Sequence, residues 1–131
     1  MITYEGDPFR PAPGFRARYR AVAYTLQRVT GVGVLLFLAY HVWNTRIQWL
    51  LGGEVPDYAY MRAYLAPGAV KTLYVFGVLC ACYHFANGLF NAAYKWGITV
   101  NARSQEWMAA ASVVVFLTLS AVGIQIVFAF K

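Results

Sequence analysis

From Trp107 to Phe130 the chain carries no charged residue at all, and that run is the third of its kind. Between Ala21 and Leu51 the only formal charges are Arg28 and Arg46, and between Lys71 and Gly97 they are Lys71 and Lys95, near the two ends. A bilayer's hydrocarbon core, ~30 Å thick, is crossed by about 20 helical residues, and within it each backbone N–H and C=O must be paired inside the segment itself. Each run is long enough for that. The sequence therefore predicts an all-α membrane protein with transmembrane helices at about 21–50, 69–97 and 107–130. Charged residues make up 12% of the 131, about half the ~25% that clothes an ordinary water-facing domain.

The flanking charges predict the topology. Arg10, Arg16, Arg18 and Arg20 precede the first span, and Lys95 and Arg103 flank the second connection. The first connection sets Arg46, Arg62 and Lys71 against Glu54 and Asp57. The positive-inside rule then puts segment 1–20 and loop 98–106 in the cytoplasm, 51–68 outside, and Lys131 outside. The expected location is the cytoplasmic membrane of a prokaryote. The net charge of +6 is an orientation signal, with no nucleic-acid partner implied. Pro8, Pro11, Pro13 and Gly14 interrupt a segment with no apolar core, so it does not read as a signal peptide. Helix one is expected to begin near Tyr19, and Tyr58–Leu65 to form an interfacial helix with Tyr58, Tyr60 and Tyr64 at the headgroups. Cys80 and Cys82 point about 200° apart on a helix and cannot bridge each other.

The chemistry concentrates on two histidines, His41 and His84, both inside apolar runs. An imidazole in hydrocarbon needs partners for its ring nitrogens, and an intramembrane ionisable residue is a functional candidate. A neutral imidazole is also an axial ligand of haem iron. His84 lies in a stripe of Gly77, Cys80, His84, Gly88 and Asn91, spaced by three and four along one helix face. Small residues a turn above and below a histidine suit a macrocycle lying flat against the helix. They equally suit a tight helix–helix seam with His84 hydrogen-bonded across it. With helix one starting near Arg20, His41 lies about 30 Å along it, and His84 about 20 Å from the cytoplasmic end of helix two. The two levels differ by roughly 10 Å, too far to share one iron. His41 is then either the ligand of a second, outer haem or an interfacial structural residue. Helix three offers only Ser112, Thr118, Ser120 and Gln125 as polar groups and no chemistry of its own.

The run Tyr24-Thr25-Leu26-Gln27-Arg28-Val29-Thr30-Gly31, followed by His84-Phe85-Ala86-Asn87-Gly88 and Trp96-Gly97, resembles the cytochrome b membrane-anchor subunits of succinate:quinone oxidoreductase, respiratory complex II. Tyr24 stands where that family often has a quinone-contacting serine, Gln27 where it has a histidine, Phe90-Asn91 where it has Arg-His, and Lys95 where it has an acidic residue. The resemblance implies a non-catalytic subunit of succinate dehydrogenase or quinol:fumarate reductase, one part of a larger haem-binding bundle. Its expected partners are a second membrane-anchor subunit, an iron–sulfur subunit, a flavoprotein and membrane quinone. It implies His84 as an axial ligand of haem b opposite a ligand from another chain, and His41 as the ligand of a second haem in those anchors that hold two. Arg28, about 12 Å into its helix, is expected at a haem propionate or a quinone, with Tyr24 and Gln27 beside it. Set against this is a haem-free structural subunit of another respiratory or photosynthetic complex, with the histidines as interhelical glue. A transporter is disfavoured, because no helix pairs acidic groups or breaks at mid-membrane.

Overall fold

The computed structural model describes residues 15–130. The proline-rich segment, with Arg10, and Lys131 lie outside the described residues. Helix α1 spans Phe15–Val42, continues through a π-helical stretch at Trp43–Ile47, and ends in a last turn, α2, at Gln48–Leu50. A short helix α3 follows at Tyr58–Tyr64, then α4 at Gly68–Lys95 and α5 at Ala102–Ala129. Three stretches, Ala21–Leu50, Gly68–Lys95 and Arg103–Ala129, are long and apolar enough to cross a membrane. The described residues form no strand, so the all-helical, three-span architecture is the one the charge-free runs predict.

The ends of the helices follow from local chemistry. α1 is already helical at Phe15, earlier than the expected start near Tyr19. α4 stops at Lys95, and Gly97 at φ +72° turns the chain where a side chain would be strained. α5 starts before the apolar run because Asn101 caps it: its side chain accepts from the Ser104 N–H at 2.8 Å, and the Ser104 hydroxyl reaches back to the Asn101 N–H. Asp57 caps α3 through the Tyr60 N–H at 2.8 Å. The π stretch has a cause as well. Asn44 donates to Tyr40 O at 2.8 Å and Thr45 to His41 O at 2.7 Å, so side chains take up carbonyls of the ordinary ladder.

α4 is the central helix and packs against both α1 and α5. The fully packed apolar core is small, Leu65, Tyr74 and Val127, and sits where α3 meets the α4 and α5 ends. Elsewhere large apolar side chains point outward: Leu35 and Leu36 of α1 are each 66% exposed and Val114 of α5 62%. Leaving such a side chain in water forgoes ~1.5–3 kcal/mol each. These faces are built for lipid or for other membrane helices.

Candidate functional site

The small-residue stripe of α4 is filled by α1. A Cβ on Gly77 would collide with the Phe37 ring, one on Gly31 would lie 3.0 Å from His84 Cε1, and one on Gly33 3.1 Å from the Cys80 sulfur. A Cβ on Gly88 would lie 3.6 Å from the Gln27 amide nitrogen, in ordinary contact. Of the two arrangements the spacing allows, the structure has the tight seam. The glycines alternate between helices, so His84 lies over the α1 backbone at Gly31 and Phe37 over the α4 backbone at Gly77. Cys80 is a buried free thiol and Cys82 a half-buried one.

Both nitrogens of His84 are engaged. Nδ1 lies 3.1 Å from the Gln27 carbonyl oxygen; a carbonyl only accepts, so Nδ1 carries the proton. The Thr30 hydroxyl is 3.5 Å from the same nitrogen. Its own hydrogen goes to Leu26 O at 2.6 Å. Nε2 is therefore the lone-pair nitrogen. The Gln27 amide N–H donates to it at 3.4 Å and to His84 O at 3.2 Å. Asn87 fixes that amide by donating to Gln27 Oε1 at 2.7 Å. This closed polar set satisfies the donors and acceptors that hydrocarbon would otherwise leave stranded.

His41 lies at the other end of the same seam. Its Nδ1 is 3.1 Å from the Tyr74 hydroxyl, its ring stacks on Phe37 at 5.9 Å, and the Tyr74 ring meets it edge-on at 5.6 Å. No hydrogen bond within the described residues reaches Nε2, which is also not among the buried unpaired atoms, so it opens onto the helix-layer surface. A tyrosine cluster lies beyond: Tyr64 OH donates to Tyr40 OH at 2.6 Å, and Tyr64 stacks parallel on Tyr60. Burial, with the Tyr40 and Tyr74 hydroxyls adding to it, pushes the Tyr64 phenol well above its usual range and keeps it a donor. His41 is level with Tyr74, ten residues from His84 on α4, which is about 15 Å and more than helix counting gave.

The other expected site residues divide. Gln27 faces inward and belongs to His84. Arg28 and Tyr24 face out, with the guanidinium 4.6 Å from the Tyr24 ring centroid in cation–π geometry. Sequence reasoning did not assign roles to Tyr74, Thr30 or Asn87. The signal was present: Tyr74 extends the stripe three residues above Gly77, Asn87 is three beyond His84, and Thr30 precedes Gly31. Among the described residues no three His, Cys, Asp or Glu side chains converge as they would for a protein-held metal ion. A histidine held by Nδ1 with Nε2 as lone pair has the tautomer of an axial haem ligand, but at His84 that nitrogen accepts from Gln27 and α1 packs against the ring.

Three helices long and apolar enough to cross a membrane, with a histidine at each of two depths, define a multi-pass membrane protein. The chain belongs to the succinate dehydrogenase/fumarate reductase transmembrane subunit family, whose model matches residues 10–124. It is 43% identical over 107 residues to the succinate dehydrogenase cytochrome b558 subunit of Bacillus subtilis (strain 168), a match covering 82% of this chain and 52% of that one. The chain thus spans about half the length of the curated relative it matches. No solved structure matches it.

Proposed function

We propose that this chain is a membrane-anchor, b-haem-binding subunit of a succinate:quinone oxidoreductase or quinol:fumarate reductase, linking a flavoprotein and iron–sulfur pair to membrane quinone. The observation that carries the proposal is the presentation of the two histidines. Each is held through Nδ1, and they lie about 15 Å apart in depth on one helix seam; Nε2 of His41 is open, while Nε2 of His84 accepts from the Gln27 amide, which a haem iron would have to displace. Bound haem b supplies a one-electron site whose potential is set by axial ligation and burial. His84 is the inner axial ligand and His41 the outer, each opposite a histidine from outside the described residues, such as one of a second anchor subunit, because the two lie too far apart to share one iron. Arg28 and Tyr24, on the outward face one turn from the His84 seam, are the groups for a haem propionate or a quinone carbonyl. The arginine-rich start of α1 and loop 98–106 face the cytoplasm, by the same charge bias as before.

Purifying the assembled complex and measuring its subunits and haem-to-protein ratio tests this. A flavoprotein and iron–sulfur subunit with at least one b haem per copy, lost in His84→Ala, is the expected result.

One observation favours a second reading. The stripe is filled by α1 and Gln27 already caps His84 Nε2, as a haem-free subunit with interhelical histidine bonds would have it. That reading requires a complex without b-type absorption, in which His84→Ala affects assembly only.

A further inference from the structure

The hydrogen bonds that satisfy His84 also cover it. The Gln27 amide nitrogen lies 3.4 Å from Nε2 and donates at 3.2 Å to the carbonyl of the same histidine, so it stands where a ligand of Nε2 would have to be. Asn87, three residues further along α4, holds that amide by donating to Gln27 Oε1 at 2.7 Å. The ring itself lies on the α1 backbone, since a Cβ added to Gly31 would stand 3.0 Å from Cε1. A flat macrocycle does not fit over Nε2 with α1 and Gln27 in these positions. We propose that the α1–α4 seam is the closed state of the His84 site, with Gln27 as its cap and Asn87 as the residue that keeps the cap in place. Nε2 becomes available only when Gln27 turns away and α1 shifts off the ring.

Closure follows from the surroundings. In hydrocarbon the imidazole and both amides have no water to bond, so the chain by itself settles in the arrangement that pairs them. Opening strands all three until something replaces the lost bonds. A site open only a fraction of the time binds more weakly by that fraction, so ~10% opening costs about tenfold in apparent affinity.

The seam also supplies a lock with which to test it. A Cβ at Gly33 would lie 3.6 Å from Cys80 Cβ and 3.1 Å from its sulfur, within the ~3.5–4.5 Å Cβ separation of disulfides. Oxidised Gly33→Cys should therefore join α1 to α4 and hold the seam shut.

The proposal leans on the haem-ligand reading of His84 for one of its two readouts, which keeps their failures apart. In the first, the haem-free full chain in detergent is titrated with haemin, with imidazole added as the opposite ligand. The His84-dependent low-spin band is the part that His84→Ala lacks. Oxidised Gly33→Cys should bind at that site about tenfold more weakly than the oxidised double variant Gly33→Cys, Cys80→Ala, which cannot form the bond. Gln27→Leu should bind more tightly than the parent, and Asn87→Ala should fall between. Equal binding by the locked and unlocked chains, or no gain in Gln27→Leu, overturns the proposal. The second readout needs no haem. The NMR nitrogen resonance of His84 Nε2 should move toward that of an unbonded imidazole nitrogen in Gln27→Leu and partway in Asn87→Ala. It should keep the parent value in oxidised Gly33→Cys, because the closed seam is the resting one. If His84→Ala removes no haem band, the haem-ligand reading fails and this resonance decides alone: an unmoved Nε2 signal in Gln27→Leu, or a moved one in the locked chain, overturns the closed seam.

Discussion

At His84 every polar atom of the site has a partner drawn from the seam itself, while at His41 only one ring nitrogen does and the other opens outward. The inner site uses backbone carbonyl, hydroxyl and two amides; the outer site uses aromatic rings and phenols. Deep in hydrocarbon an unpaired N–H has no alternative to a protein partner, so the inner set must close. Near the interface water and headgroups are available, and tyrosines suit that zone because they bury a ring and keep one hydroxyl wet. The same seam therefore builds one histidine whose tautomer is fixed by a carbonyl and one whose tautomer is left open by a hydroxyl that can donate or accept.

The largest expected effect is at the inner site. His84→Ala should abolish the haem that His84 ligates, read as complete loss of its low-spin absorption in the assembled complex; a fully retained spectrum would make the inner site purely structural. His41→Ala comes next. A redox titration of the parent complex should resolve two b-haem transitions, of which the substitution removes one. A single transition that survives would leave the two sites unlike in function as well as in construction.

Gly77→Ala tests whether the two ends of the seam can be disturbed separately. Its Cβ would meet the Phe37 ring, and that ring stacks on His41 and touches Tyr74 edge-on at 5.2 Å. Overpacking of this kind is worth ~1–3 kcal/mol. The expected outcome is a lowered thermal midpoint with the His41-dependent transition broadened or shifted and the His84-dependent one unmoved. Equal disturbance of both would mean that the seam responds as one unit.

The fold was legible because charge exclusion over a bilayer's thickness has few structural solutions. The runs around Arg28 and Arg46, between Lys71 and Lys95, and beyond Trp107 each became one long helix. Helix ends were less legible, since hydropathy is blind to caps such as Asn101–Ser104 that carry a helix past its apolar run. The stripe around His84 was visible from spacing alone, but not what covers it: small residues admit a flat ligand and a neighbouring helix alike. Only the contact of Gly31 with His84 and Gly77 with Phe37 decides for α1. Gln27 illustrates the same limit, because its neighbour Arg28 faces outward one residue later and no periodicity within α1 names the helix it meets.

Arg28 is the charged residue nearest the inner site and faces away from it, so its effect should be intermediate. Arg28→Ala should reduce quinone turnover several-fold while succinate oxidation with a soluble artificial acceptor stays close to the parent rate. Equal loss of both activities would place Arg28 in assembly, and no loss of either would leave its pairing with the Tyr24 ring as its whole role, at ~0.5–1 kcal/mol for an exposed cation–π contact.

The smallest effect belongs to Tyr74→Phe, which removes only the hydroxyl that meets His41 Nδ1 at 3.1 Å and keeps the ring that packs on Phe37 and His41. If His41 ligates through Nε2, its Nδ1 must donate to that hydroxyl, and deleting the acceptor weakens the donor strength of the ring. The His41-dependent transition should then move upward by about twofold in its equilibrium, ~20 mV for one electron, with the other transition fixed as an internal reference. If His41 is structural, the hydroxyl is free to donate to Nδ1, and its loss removes one hydrogen bond worth ~0.5–1.5 kcal/mol from the outer end with no change in any haem transition. The two outcomes separate because one appears in potential and the other in thermal stability, so this single oxygen atom reports which way the proton between Tyr74 and His41 lies.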